Sequence, residues 1–206
     1  FDLAYLLRNR TGFADATGID YDSVIRTIFS SDIVGSLSCT SVVVKSGGVM
    51  IHGRNLDFPP TTLGRYPLIT EYRPSGRRAY TLVGIVGYLP ALSGMNDSGI
   101  SVTLNISFLV EEYRKGGMPV GYKIREILES AASMNDVDSL VKGYASDGGW
   151  FFTIASAGDR TGAVYDIAGG DVRKSPLARN FIFVENRYLH EELNFKYKHI
   201  EESAAD

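Results

Sequence analysis

Short β-branched segments joined by glycine-rich turns dominate the middle of this 206-residue chain. The segments TSVVV and GVMIHGRNLDF flank KSGG, and the segments YPLITEYRP and RAYTLVGIVGYL flank SGR. A third pair, ALSG and GISVTLNISF, flanks MNDS, whose Asn, Asp and Ser are typical turn residues. Strands that follow one another through such tight turns pair as antiparallel hairpins. The pattern therefore predicts an antiparallel sheet.

The apolar period changes from two residues to about 3.6 after the third hairpin. The segments VGYKIREILESAAS and NDVDSLVKGYAS predict helices over residues 121–132 and 136–145, with Asn135 as the N-cap of the second. An earlier segment, GIDYDSVIRTIFSSD, predicts a short amphipathic helix that Asp20 caps. Strand patterns return in WFFTIASAG, GAVYDIAG and NFIFVEN. This order predicts one α+β domain with its helices on one face of the sheet.

Composition and motifs argue against several classes of function. The net charge of −3 supplies no basic field, so no nucleic-acid partner is expected. No segment approaches the roughly 18 consecutive apolar residues of a membrane-spanning helix. Three histidines and one cysteine at unrelated spacings do not match a zinc site, and the sequence has no phosphate loop or GxSxG motif. We therefore expect no metal and no cofactor.

The only cysteine, Cys39, lies among small polar residues at the start of the first predicted hairpin. Most lone cysteines are small buried hydrophobic residues. The second strand of this hairpin, however, brings Arg54 and Asp57 beside the cysteine's end. Because charges inside a fold need partners, these two side chains can either form an ion pair that pins the hairpin or serve the thiol. A Cys39–His52 dyad is a third alternative.

The stretch CTSVVV…IHGRNLDF resembles the nucleophile region of the acid ceramidase and N-acylethanolamine acid amidase family. This family is related to the choloylglycine hydrolases and penicillin V acylases within the N-terminal nucleophile hydrolases. The similarity continues through GYLPALSGMNDSGISVTLN, the two predicted helices and NFIFVENRY, so it covers roughly residues 18–190. The resemblance implies a four-layer αββα fold with two stacked antiparallel sheets.

The resemblance also implies that the precursor cuts itself before Cys39, which yields two chains from one precursor. The new α-amino group then acts as the base for the thiol of its own residue, since the ordinary pKa values of an amine and a thiol are both near 8. Residues 1–38 are expected to be a propeptide or small-subunit tail with one helix. Residues 39–206 are expected to be the catalytic domain, and whether that domain is complete at its C-terminus is left open.

Five site residues follow by matching position to the family. The resemblance makes Cys39 the nucleophile and places Arg54 beside its thiolate. It implies that Asp57 accepts a hydrogen bond from the new α-amino group. It further implies that Asn105 helps to shape the oxyanion site and that the side-chain amide of Asn186 donates to the tetrahedral oxyanion.

The function that the resemblance implies is a self-processing cysteine amidase, which hydrolyses linear amide bonds of N-acylated lipids through a thioester. The expected partner is a small lipid amide of the N-acylethanolamine or ceramide type, with transient lipid or membrane association. Apolar residues Tyr88, Leu89 and Leu92 are candidates for the floor of an acyl-chain pocket. The family suggests a lysosomal or secreted location, and the sequons at Asn96 and Asn105 agree with secretion.

Two alternatives stay open. The ceramidase and acid amidase branch carries a glutamate where this chain has Ile106, which leaves room for a bile-salt or penicillin V type acylase, or an acyltransferase. The chain also has no arginine after Arg187, where the family has one. A non-catalytic binding domain that retains the fold is therefore the second alternative.

Overall fold

Ten strands form two antiparallel sheets in the part of the chain that the computed structural model describes, which comprises residues 12, 14–24, 38–57, 66–86, 88–107, 118–146 and 148–196. In chain order the strands are β1 (Ser38–Ser46), β2 (Val49–Asp57), β3 (Pro67–Tyr72), β4 (Tyr80–Ile85), β5 (Ser93–Asn96), β6 (Ile100–Ile106), β7 (Gly149–Ser156), β8 (Thr161–Ala168), β9 (Asp171–Pro176) and β10 (Phe181–Val184). One sheet has the order β10–β1–β2, and the other runs in sequence order from β3 to β9. The two predicted antiparallel sheets are confirmed.

A two-residue turn sets the register of the first hairpin. Gly47 and Gly48 have φ values of 56° and 85°, the positive values that both central residues of a type I′ turn require. The turn pairs Ser46 with Val49, and the pairing then continues down both strands. As a result Cys39 lies opposite Leu56. The turn thus fixes which residues of β2 lie beside the cysteine.

Two helices, α1 (Val120–Ser130) and α2 (Met134–Val141), pack on the face of the seven-stranded sheet that points away from the smaller sheet. Alternate residues of the central strands, such as Val102 and Phe152, meet Ile124 and Val137 of these helices in one buried core. The predicted helices over residues 121–132 and 136–145 are therefore present, with both boundaries shifted towards the N-terminus. The described residues supply three of the four expected layers.

The predicted cap of the second helix was wrong. Ser133, not Asn135, is the N-cap: its hydroxyl accepts a hydrogen bond from the backbone nitrogen of Asp136, at 3.3 Å. The Asp136 carboxylate in turn accepts from the backbone nitrogen of Ser133, at 3.0 Å. This reciprocal capping box satisfies two backbone donors at once, which the cap at Asn135 cannot do.

The N-terminal helix prediction falls only partly on described residues. Residues 21–24 are helical, and the Asp20 carboxylate accepts a hydrogen bond of 2.9 Å from the backbone nitrogen of Ser23, as a cap does. Residues 1–11, 13 and 25–37, which make up most of the expected propeptide, lie outside the described part of the chain. Strand β9 and a short C-terminal helix, α3 (Glu191–Lys196), were not predicted.

The layer between the two sheets is apolar at one end and polar at the other. Beneath β10 it is filled by a buried apolar cluster, whose members are Phe151, Val164, Ala168, Ile182, Val184, Tyr188 and Leu193. Beneath β1 and β2 it holds buried polar side chains, among them Ser41, Thr103 and Asn105. Among the described residues no helix is both long and apolar enough to cross a membrane. The polar end of the layer, next to Cys39, is the candidate site.

Candidate active site

Cys39 lies on the inner face of β1, where its side chain is only 3% exposed. Its thiol is not in a purely apolar setting, because Nη2 of Arg54 donates a hydrogen bond to Sγ at 3.5 Å. Burial raises the pKa of the thiol, and the Arg54 charge and the backbone N–H of Ile106 oppose that rise. Since burial dominates, the thiol of the uncut chain stays protonated at neutral pH, and attack requires a base.

Three neighbouring groups hold the guanidinium of Arg54. Nη2, which contacts the thiol, also donates to the backbone oxygen of Leu104 at 2.5 Å. Nη1 donates to the hydroxyl of Ser93 at 3.1 Å. The planar fork is therefore fixed from β5 and β6 of the opposing sheet while it points at Cys39. The structure places Arg54 beside the thiol, as the sequence predicts.

Asp57 lies on the opposite face of β2 from Arg54, because residues three apart in a strand point to opposite sides. Its carboxylate is exposed and accepts a hydrogen bond of 2.7 Å from Asn55. The Arg54–Asp57 ion pair suggested as a pin for the hairpin is therefore wrong. Asp57 does pair in register with Ser38, directly beside the predicted cleavage point. Its role as acceptor for an α-amino group stays a prediction.

In this uncut chain the backbone nitrogen of Cys39 donates instead to Oδ1 of Asn186, at 3.0 Å. Nδ2 of Asn186 donates to the backbone oxygen of Ile106, at 2.6 Å. The structure therefore brings Asn186 to the nucleophile and engages one of its two amide hydrogens with the protein. The second hydrogen of Nδ2 is left for another acceptor, and its donation to an oxyanion stays a prediction.

Asn105 is fully buried behind the site and does not contact the thiol. Its Oδ1 accepts a hydrogen bond of 2.6 Å from the hydroxyl of Ser41. Its Nδ2 donates to the backbone oxygens of Val184 and Glu185, at 3.2 and 3.1 Å. These contacts tie β6 to the end of β10, next to Asn186. The geometry gives Asn105 a structural position at the site, while its contribution to the oxyanion site stays a prediction.

His52 does not form the dyad considered for Cys39. Its ring nitrogens lie 2.8 Å from the Ser101 hydroxyl and 3.1 Å from the Thr103 hydroxyl. Burial, assisted by the charge of Arg54, lowers the pKa of His52 to about 4. The imidazole is therefore neutral at physiological pH, and β6 holds it away from the thiol.

A cavity of about 570 Å³ runs along the inner face of β2 from Leu56 and Arg54 to Met50. Apolar side chains dominate its wall, including Leu56, Val83, Ile85, Leu92, Met95 and Val102. Of the three residues suggested for an acyl pocket, only Leu92 lines it. Leu89 packs instead beside Ala14, Val24 and Tyr122, and Tyr88 packs against the helix-side core.

Sequence reasoning missed Ser41, Thr103 and Ser93 as site neighbours. A signal for Ser41 was present, because it follows Cys39 by two residues and so shares its face of β1. Asn96, the first residue of one sequon, is buried in the folded chain, and the expected location stays a prediction. The amide nitrogen of Asn96 is buried and donates to the backbone oxygens of Leu128 and Ala131, so in the folded chain it cannot accept a glycan.

Comparisons with known proteins identify relatives of this chain. A model of the acyl-coenzyme A:6-aminopenicillanic acid acyl-transferase family matches residues 43–205. The N-acylethanolamine-hydrolyzing acid amidase of Caenorhabditis elegans is 29% identical over 142 residues, which are 61% of this chain and 40% of that protein. Acid ceramidase of Rattus norvegicus is 26% identical over 157 residues, 63% of this chain and 39% of that protein. The chain thus spans about two fifths of the length of these relatives.

Solved structures show the same fold. The structure of the Caenorhabditis elegans N-acylethanolamine-hydrolyzing acid amidase ortholog superposes with a TM-score of 0.61 at 22% identity. The match covers 78% of this chain and 73% of that chain. The predicted N-terminal nucleophile hydrolase fold is therefore confirmed.

Proposed function

This chain belongs to the acyl-coenzyme A:6-aminopenicillanic acid acyl-transferase family, and from that membership we propose that it is a self-processing cysteine amidase. Its substrates are N-acylated lipids, whose linear amide bond it hydrolyses through a thioester on Cys39. One observation carries the proposal: the buried Cys39 thiol lies 3.5 Å from an Arg54 guanidinium that the Ser93 hydroxyl and the Leu104 backbone oxygen hold in place.

Self-processing begins when the Cys39 sulfur attacks the backbone carbonyl carbon of Ser38. The Ser38–Cys39 amide bond breaks, its nitrogen takes up the thiol proton and becomes an α-amino group, and a thioester joins Ser38 to the sulfur. Water then hydrolyses this thioester and leaves a carboxylate on Ser38 and a free thiol on Cys39. Asn186 accepts a hydrogen bond from the departing nitrogen before cleavage, so it holds that nitrogen at the site afterwards.

Turnover repeats this chemistry on a substrate amide. The α-amino group takes the thiol proton, and the thiolate beside Arg54 attacks the acyl carbon. The amide bond breaks when the α-ammonium group returns a proton to the leaving amine, which leaves the acyl group on sulfur. Water then attacks the thioester, and the products are a fatty acid and the regenerated thiol. Desolvation of the thiol makes the paired base necessary, because burial alone keeps the sulfur protonated.

The substrate class rests on the cavity and on the relatives. The cavity begins at Arg54 and is mainly apolar, which suits an acyl chain. By their names, the two relatives hydrolyse N-acylethanolamines and ceramide. We extend this to the chain as a preference for lipid amides over peptides, with transient contact with lipid surfaces and a lysosomal or secreted location.

Hydrolysis of a fatty-acyl ethanolamide and of a peptide of similar length, by the parent and by Cys39→Ala, tests the proposal. We expect the parent to release fatty acid from the amide and to leave the peptide nearly intact, and we expect Cys39→Ala to cleave neither substrate. Efficient peptide cleavage without acyl-amide cleavage would contradict the assignment.

Acyl transfer is a second candidate, and the family description favours it. The same thioester transfers its acyl group to an amine if the amine reaches it before water. Adding an acceptor amine during acyl-amide hydrolysis separates the two outcomes. A new N-acyl product that replaces most of the fatty acid would make this chain a transferase.

A further inference from the structure

A chain of hydrogen bonds crosses the polar layer between the two sheets. It runs from Ser101 to His52, then through the hydroxyls of Thr103 and Ser41 to the side-chain amide of Asn105. Its successive distances are 2.8, 3.1, 2.9 and 2.6 Å. We call these five residues the inter-sheet chain. Ser41 and Asn105 are fully buried and Thr103 is 7% exposed, and Thr103, His52 and Ser101 also line the cavity beside Arg54.

The direction of every bond in the inter-sheet chain is fixed from one end. Nδ2 of Asn105 faces two backbone oxygens, which only accept, so Oδ1 must accept from Ser41. The Ser41 oxygen then accepts from the Thr103 hydroxyl.

Because the Thr103 hydrogen is used in this way, Thr103 must itself accept from Nε2 of His52. The neutral ring therefore carries its hydrogen on Nε2, and its bare Nδ1 accepts from Ser101.

The Asn105 end of the inter-sheet chain holds the segment that carries Asn186. The two oxygens bound by Asn105 belong to Val184 and Glu185, the residues directly before Asn186. Asn186 in turn accepts from the backbone nitrogen of Cys39. The inter-sheet chain thus holds the end of β10 against the start of β1, where the nucleophile lies. Of its members, only Asn105 is among the five predicted site residues.

We propose that Ser41, Thr103 and His52 are positioning residues, which orient the Asn105 amide and so keep Asn186 in reach of the Cys39 nitrogen. This inference rests on the proposed function for its catalytic meaning but makes a separate claim about structure. A hydroxyl at position 103 is required, whereas the methyl group of Thr103 is not. The role is therefore distinguishable from simple core packing.

Two substitutions at one position separate these possibilities. Thr103→Val nearly preserves shape but removes the hydroxyl, and Thr103→Ser preserves the hydroxyl but removes the methyl group. Thr103→Val leaves the buried Ser41 oxygen without its donor, which weakens the bonds that orient Asn105 and Asn186. We therefore expect kcat for acyl-amide hydrolysis to fall about 10-fold or more in Thr103→Val, with KM changed far less. Thr103→Ser should retain most of the parent kcat. The opposite ranking, which packing alone predicts, would overturn the proposal.

A second measurement does not depend on activity. In the uncut Cys39→Ala chain, hydrogen exchange at the residue 39 backbone nitrogen reports its bond to Asn186. We expect Thr103→Val to speed this exchange about 10-fold relative to Thr103→Ser, and ¹⁵N NMR to show His52 protonated on Nε2. Equal exchange in the two variants, or an Nδ1–H tautomer, would overturn the proposal. A parent that cleaves no acyl amide would refute the proposed function and leave this second test intact.

Discussion

The backbone nitrogen of Cys39 and Oδ1 of Asn186 are joined by a hydrogen bond of 3.0 Å, although 147 residues separate them in sequence. The bond links the first residues of β1 to the segment directly after β10, and these two strands pair in the smaller sheet. If the chain is cut before Cys39, this nitrogen becomes the amine that activates the thiol. In the proposed mechanism Asn186 therefore lies next to the nitrogen that would become the base.

Removing the Asn186 side chain should impair both processing and turnover. We expect Asn186→Ala to lower kcat about 100-fold or more, the usual cost of losing an oxyanion donor, and to slow self-cleavage because the Cys39 nitrogen loses its acceptor. Asn180→Ala makes the same chemical change to an exposed side chain and serves as the control. Parent-like kinetics and parent-like intact mass in Asn186→Ala would remove this residue from the site.

Arg54→Lys should fail although it keeps the positive charge. The guanidinium reaches Ser93, Leu104 and the Cys39 thiol with two nitrogens of a rigid fork, and the single nitrogen of a lysine ammonium cannot occupy both positions. We expect at least a 10-fold loss in kcat/KM, equivalent to about 1.4 kcal/mol. Arg73→Lys is the matched control, because that side chain is 79% exposed. Comparable activity in both variants would show that charge alone suffices at Arg54.

The neutral state of His52 should make folding stability depend on pH. Its pKa is lowered from 6.5 to about 4, so between these values the unfolded chain binds more protons than the folded one. Stability is therefore lost as pH falls from 6.5 to 4, by at most roughly 3 kcal/mol from this residue. His52→Gln, which cannot titrate, should flatten that part of the curve measured by urea unfolding. An identical slope in parent and variant would show that His52 does not titrate as its burial predicts.

A glycine in β5 tests the packing of the helical layer. A Cβ atom at Gly94 would lie 2.7 Å from Cδ2 of Leu82 and 2.8 Å from Cδ1 of Leu128, so Gly94→Ala forces the sheet and α1 apart. We expect a loss of about 1–3 kcal/mol in the free energy of unfolding. Gly84→Ala, in the neighbouring strand, meets nothing within 4 Å and should change stability little. Equal stability of the two variants in denaturant titrations would contradict the packing described for this face.

The register of the hairpin was predictable from the sequence. The two glycines Gly47 and Gly48 demand a two-residue turn, and counting back from it places Arg54 on the same face as Cys39. The same counting places Asp57 on the other face, which the sequence reasoning overlooked. Strand β9 was not predicted because its sequence, DVRKSP, is charged and ends in proline. It forms at the edge of the sheet, where it pairs with β8.

The partners of the two asparagines were not predictable from local pattern. Asn105 and Asn186 were chosen by their place in a family motif, which carries no information about which atoms they face. Their acceptors and donors come from segments up to 147 residues away, and these groups meet only because β10 pairs with β1 and the two sheets stack. The hydrogen-bond partners of Ser41 were not predictable for the same reason, since they lie on β6 of the other sheet.

The identity of the nucleophile is the central claim, and intact mass measured together with acyl-amide hydrolysis tests it most directly. We expect the parent to be cut between Ser38 and Cys39 and to be active. Cys39→Ala should stay uncut and inactive because it has no nucleophile. Cys39→Ser should be cut slowly or partly and turn over little, since a hydroxyl is a poor nucleophile beside an amine at neutral pH. A Cys39→Ala chain that is cut and active like the parent would contradict the whole account.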